Sequence, residues 1–198
     1  MKIILKEFIE EYVIEKSRFI AILSPMSDPS QLKDHIKRLK SEYPKATHYC
    51  YAYMINGIAH SSDDGEPSGT AGVPILKVLQ ASGVDNAILV VIRYFGGIKL
   101  GAGGVLRAYS NSSSLVIKNT QFHEKNAYSC YSSEIDYSLE QLFINNIKKL
   151  DGNILDKDYN EKITIKFYIK NKKDLEELNT IFLGQLVFKY IGEEEIIN

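Results

Sequence analysis

Residues 87–109 read AILVVIRYFGGIKLGAGGVLRAY, and the way this stretch divides decides the fold around it. Its first six residues are an apolar, β-branched run that predicts a buried strand, and from Gly103 onward the pattern predicts a helix. Gly96, Gly97, Gly101, Gly103 and Gly104 lie at the junction. A strand, a glycine turn and a helix N-terminus together form a nest for an anion, because unpaired N–H groups and the helix dipole both favour negative charge. Lys99 within the turn, Arg93 before it and Arg107 one turn into the helix add formal positive charge. Two phosphate motifs are excluded: Gly101 is followed by Ala102 rather than the Lys-Ser/Thr of a Walker loop, and Leu106 stands where a dinucleotide fingerprint needs glycine. A tight turn that lets a helix pack on a sheet accounts for the same residues, and both readings stand at this level.

Upstream, residues 3–15 alternate and predict a strand with one solvated face. Lys16-Ser17-Arg18 interrupts it, and residues 19–23 predict its antiparallel partner. From Asp28 or Pro29 to about Tyr43, Leu32, Ile36 and Leu39 recur at helical spacing, with Lys33, Lys37 and Lys40 turned outward. Residues 48–55, HYCYAYMI, form a strand with Tyr49, Tyr51 and Tyr53 on one face. Such a row either stacks nucleic-acid bases or covers a neighbouring layer. Asn56-Gly57 predicts a hairpin turn to a returning strand at 58–61.

Residues 61–74, SSDDGEPSGTAGVP, are too rich in Gly, Pro and Ser for a strand, and Pro74 suits the first turn of a helix through Leu79. Asp63, Asp64 and Glu66 in this loop have three possible uses: ligands of Mg²⁺, a cap for the following helix, or partners of Arg93 and Arg107. No His or Cys joins them, which argues against zinc.

The helix from Gly103 ends near Asn119, and the polar residues 120–126 predict a boundary between two domains, 1–124 and 125–198. The second domain reads as strands at 128–137, 154–159, 163–169 and 186–191, with helices at 139–150 and 173–183. That order is βαββαβ, the ferredoxin-like split motif, and suggests a docking or RNA-facing module. The fold class is therefore α+β.

Hydrophobic residues at 44% and charged residues at 25% are ordinary for a globular protein. No apolar run approaches the ~20 residues that span a bilayer, and the acidic, alternating N-terminus does not resemble a signal peptide, so a cytoplasmic protein with no membrane partner is expected. Cys50 and Cys130 lack metal spacing and are expected to be reduced packing thiols. Through Asn126 the chain carries 15 Lys and Arg against 12 Asp and Glu, and after it 9 against 13. The strongly basic footprint of a duplex-binding domain is missing.

Four motifs occur in a characteristic order: Lys16-Ser17-Arg18-Phe19; His48-Tyr49-Cys50-Tyr51-Ala52; the segment from Asp63 through Gly72; and that from Arg93 through Gly101. In combination they resemble the YigZ/IMPACT family. The resemblance covers roughly the first 120 residues. It implies an N-terminal ribosomal protein S-five domain-two-like β-α-β sandwich, a form shared with the GHMP kinases. It also implies a C-terminal ferredoxin-like domain similar to the last domain of elongation factor G. Eukaryotic relatives act in translational control through a separate RWD module. No segment here has room for one, so kinase regulation is not carried over.

Three functional readings follow. In the first, a non-enzymatic RNA- or ribosome-associated protein holds phosphates in a groove lined by Arg18, Arg93, Lys99 and Arg107, with binding that weakens in salt. In the second, an enzyme acts on a phosphorylated small molecule or nucleotide, with the glycine turn as cradle and Asp63, Asp64 or Glu66 as Mg²⁺ ligand or base. In the third, the acids and arginines satisfy one another as a buried network. The first is preferred. The sequence sets no oligomeric state.

Overall fold

In the computed structural model, which describes residues 1–197, the run AILVVIRY is the central strand of an antiparallel five-stranded sheet. The elements leading to and from it are β1 (Lys2–Ile3), β2 (Phe8–Ile14), β3 (Ser17–Pro25), α1 (Leu32–Glu42), β4 (His48–Ile55), β5 (Ile58–Ser62), α2 (Gly72–Ser82), β6 (Ala87–Tyr94) and α3 (Gly101–Lys118). The sheet order is β2–β3–β6–β4–β5. Strand β6 is apolar without alternation because both of its faces are covered. Ala87, Leu89 and Val91 pack in one core with Ile75 and Leu79 of α2 and Ala108 and Val116 of α3. Ile88, Val90 and Ile92 pack in the other with Leu39 of α1. The chain divides into two compact units, Met1–Glu124 and Lys125–Asn198.

The tyrosine row of β4 settles under α1: Tyr49 and Tyr53 are buried and Tyr51 is partly covered. That rules out base stacking on Tyr49 and Tyr53. Helix α1 follows a 3₁₀ turn at Pro29–Gln31, where Asp28 and Gln31 form a reciprocal capping box. The single strand expected at 3–15 is two strands. Ile3 and Ile4 are both buried, which breaks the alternation, and β1 pairs elsewhere, with His123 and Glu124.

The second unit contains most of β7 (His123–Ile135), α4 (Glu140–Lys149), β8 (Asn153–Tyr159), β9 (Ile163–Tyr168), α5 (Asp174–Ile181) and β10 (Lys189–Ile197). Its antiparallel sheet runs β10–β7–β9–β8, with Ile163, Ile165 and Phe167 packed on Phe143 and Ile147 of α4 and Leu178 of α5. Two strand bounds differ from expectation. Residues 123–126, read as polar linker, belong to β7. The last strand is Lys189–Ile197 rather than 186–191, because Leu186 turns into the core while the acidic Glu193–Glu195 run pairs along β7 at an edge.

Candidate functional site: a cleft at the start of helix α3

Period-two alternation carries the inward row of β6 from Leu89 and Val91 to Arg93, which brings a guanidinium to the rim of the core. Arg93 sits opposite Phe19 of β3 and His48 of β4 in the ladder. It is 5% exposed, with Phe19 and Phe95 rings 5.3 and 5.5 Å from its Cζ. Glu66 neutralises it: Arg93 Nη1 donates to Glu66 Oε1 at 2.5 Å, and the buried Tyr109 hydroxyl donates to the same oxygen at 2.9 Å. Cys50 Sγ donates to Asp63 O at 2.9 Å and lies 3.3 Å from Tyr109 Oη, extending the network. Burial pushes the Cys50 thiol up to about 12 and raises the Tyr109 phenol as well, so both stay protonated.

The loop that supplies Glu66 is fastened by its own acids. Asp63 accepts from the backbone N–H groups of Gly69, Ala71 and Gly72 at 2.8, 3.0 and 2.8 Å, capping α2 from a distance. Burial opposes ionisation there, yet those donors outweigh it and hold the Asp63 carboxyl below its ordinary value. Asp64 takes a left-handed backbone, φ 41°, and accepts from Tyr49 N at 2.7 Å. Gly72 is needed because a Cβ would press on the Ser62 backbone at 2.8 Å.

These assignments bear out two of the acidic-loop readings, the cap of α2 by Asp63 and the pairing of Glu66 with Arg93, and correct the rest. Of the expected network, Glu66 does pair with Arg93, but Asp64 serves a backbone amide instead and Arg107 joins no ion pair among the described residues. The carboxylates also do not suit Mg²⁺. Asp63 and Asp64 accept protein N–H donors, and Glu66 accepts donors from Arg93 and Tyr109. No group of three or more His, Cys, Asp or Glu among the described residues is placed to hold a metal ion.

Between this loop and the glycine turn lies a cleft of about 390 Å³. Pro67, Phe95, Leu100, Ala102 and Val105 form apolar walls, with Thr47, His48, Arg93, Lys99 and Gly101 supplying polar groups. Helix α3 opens into it with no side chain capping its N-terminus and no acid in its first turn, leaving orphan N–H groups. Arg93 Nε is buried and makes no hydrogen bond. His48 Nδ1 lies 2.8 Å from Asp64 O, and its Nε2 lies 3.9 Å from Glu66 Oε1.

Of the glycines singled out, only Gly101 lines the cleft. Gly96 is structural: its N–H donates to Ser17 Oγ at 3.1 Å, and a Cβ there would collide with the Lys16 and Ser17 backbone. Gly97, Gly103 and Gly104 flank the cleft in sequence without lining it, and Arg107 Nη1 reaches back toward Gly103. Arg18 lies outside the cleft, paired with Glu11 at 2.9 Å and 5.6 Å from the Tyr94 ring. Tyr109 and Phe95 carry their signal only in position: Tyr109 lies on the buried stripe of α3, and Phe95 immediately precedes the glycines.

These features define a class of mixed α/β protein with two sheets, whose first unit sets a strand, a glycine turn and an uncapped helix around one cleft. Residues 15–117 match the family model described as the Impact N-terminal domain. The IMPACT family member YvyE of Bacillus subtilis strain 168 is 39% identical over 166 residues, 82% of this chain and 76% of that one. The IMPACT family member YigZ of Escherichia coli K12 is 35% identical over 155 residues, 74% of each. The crystal structure of a hypothetical protein superposes with TM-score 0.61 and 29% identity over 98% of both chains. The chain belongs to the IMPACT family. No helix among the described residues is long and apolar enough to cross a membrane.

Proposed function

We propose that this protein is a non-enzymatic, cytoplasmic factor that associates with RNA on the ribosome in the regulation of translation, and that RNA phosphate seats at the start of α3. The observation that carries the reading is the uncapped N-terminus of an 18-residue helix opening into a cleft beside Lys99, with the buried Arg93 behind it. Arg107, one turn along, reaches back toward Gly103 and adds positive charge to the start of the helix. The translational role is carried over from the family resemblance alone, without the RWD module through which the eukaryotic relatives act. We also propose the finer fold kinships. The β10–β7–β9–β8 order supports a ferredoxin-like second domain related to the last domain of elongation factor G. The β2–β3–β6–β4–β5 sheet with helices on both faces supports the ribosomal protein S-five domain-two-like form.

The test is binding to ribosomes and to labelled single-stranded RNA across a salt series, with a Lys99→Ala/Arg107→Ala variant alongside. Arg93 is left intact because it is buried. Each lost phosphate contact should flatten the log–log salt slope by about 0.7, and binding that is independent of salt or untouched in the variant refutes the reading. A second reading, an enzyme on a phosphorylated small molecule or nucleotide, is favoured by one feature. At about 390 Å³ the cleft lies in the lower part of the size range of small-ligand sites.

A further inference from the structure

We infer that the cleft recognises the sugar as well as the phosphate, and that His48 Nε2 accepts a hydrogen bond from a ribose 2′-hydroxyl, making the site selective for RNA over DNA. The inference rests on the phosphate reading above and deepens it. A carbonyl oxygen can only accept, so the 2.8 Å contact between His48 Nδ1 and Asp64 O fixes the ring proton on Nδ1. In the neutral ring Nε2 is then an acceptor. It makes no hydrogen bond among the described residues, and the Glu66 carboxylate 3.9 Å away is itself only an acceptor. This corner of the cleft therefore calls for a donor that the protein does not supply.

The cleft holds three kinds of surface together. The orphan amides of α3 and Lys99 suit an anion, and the buried Arg93 Nε, without a partner, adds an unused donor behind them. His48 suits a hydroxyl donor. Phe95, 46% exposed, forms with Pro67, Leu100 and Val105 an apolar wall suited to the face of a base. Phosphate, ribose and base present those three chemistries, and a deoxyribose lacks the hydroxyl donor. Asp64 holds the imidazole through its backbone and is itself tied to Tyr49 N, so the acceptor is oriented before any ligand arrives.

The experiment compares the affinity of the full chain for three labelled hexa-adenylates that differ only at the 2′ position: hydroxyl, hydrogen and O-methyl. The hydroxyl form should bind about tenfold more tightly than the other two, because O-methyl keeps the oxygen but removes the donated proton. This comparison needs no variant. His48→Ala, checked for folding by circular dichroism, should lower RNA binding to the DNA level and leave DNA binding unchanged. Equal binding of the three oligomers overturns the inference and leaves the phosphate reading standing. A His48→Ala variant that weakens RNA and DNA alike also overturns it, since that is the behaviour of a merely structural residue. If no oligomer binds at low salt, the phosphate reading fails and the inference falls with it.

Discussion

Replacing Glu66 by Gln isolates the charge at the base of the cleft. Glutamine keeps an acceptor oxygen where Arg93 Nη1 and Tyr109 Oη now donate, at 2.5 and 2.9 Å, but leaves the guanidinium without a counter-charge. Arg93 cannot escape by losing its proton. It is 5% exposed, and its Nε already lacks a partner. Removing one member of a buried ion pair costs about 3–5 kcal/mol, and the retained acceptor returns about 1 kcal/mol. The expected loss is therefore about 2–4 kcal/mol. Urea unfolding followed by circular dichroism, convenient for a chain with no tryptophan, should show a lower midpoint at unchanged slope. Arg93→Met combined with Glu66→Leu should cost less than the sum of the two single replacements, because no buried charge is stranded. If Glu66→Gln unfolds within about 0.5 kcal/mol of the wild type, water entering through the cleft solvates the guanidinium and the reasoning fails.

Asp63→Asn should destabilise by about 1–2 kcal/mol through weakened capping of α2. Because the folded Asp63 carboxyl is held below the ordinary value of 3.8, its contribution is complete above that value and is lost as pH falls through the folded one. The wild-type advantage in urea melts should thus shrink below about pH 4. An unchanged gap there would mean that the charge contributes nothing. Gly96→Ala must push apart the turn and the Lys16–Ser17 backbone, at a cost of about 1–3 kcal/mol in the same melts. A neutral result would show that the glycine turn yields freely.

The pattern of apolar residues carried most of the first sheet. A continuous run such as residues 87–92 requires cover on both faces, and the structure provides α1 on one side and α2 with α3 on the other. Strand ends were less legible where pairing rather than burial sustains them. Residues 123–126 and 193–195 are polar, yet they lie in ladders. At the site, Arg93 and Lys99 could be singled out from charge beside glycine, and both line the cleft. A helix cap and a partner for Arg93 were both legible, but which carboxylate does which could not be read, because backbone amides supply the donors to Asp63 and Asp64 and sequence does not show where amides point. Gly96 was ambiguous for a similar reason: glycine admits a close neighbour without saying whether it is a ligand or another strand.

The loop from Asp63 to Gly72 is stitched down by its own carboxylates, which has a kinetic consequence. A wall already fixed by amide donors gives up little conformational entropy when a ligand arrives. Capture should then proceed as a single concentration-dependent step, with affinity differences among ligands appearing in the rate of escape rather than the rate of entry.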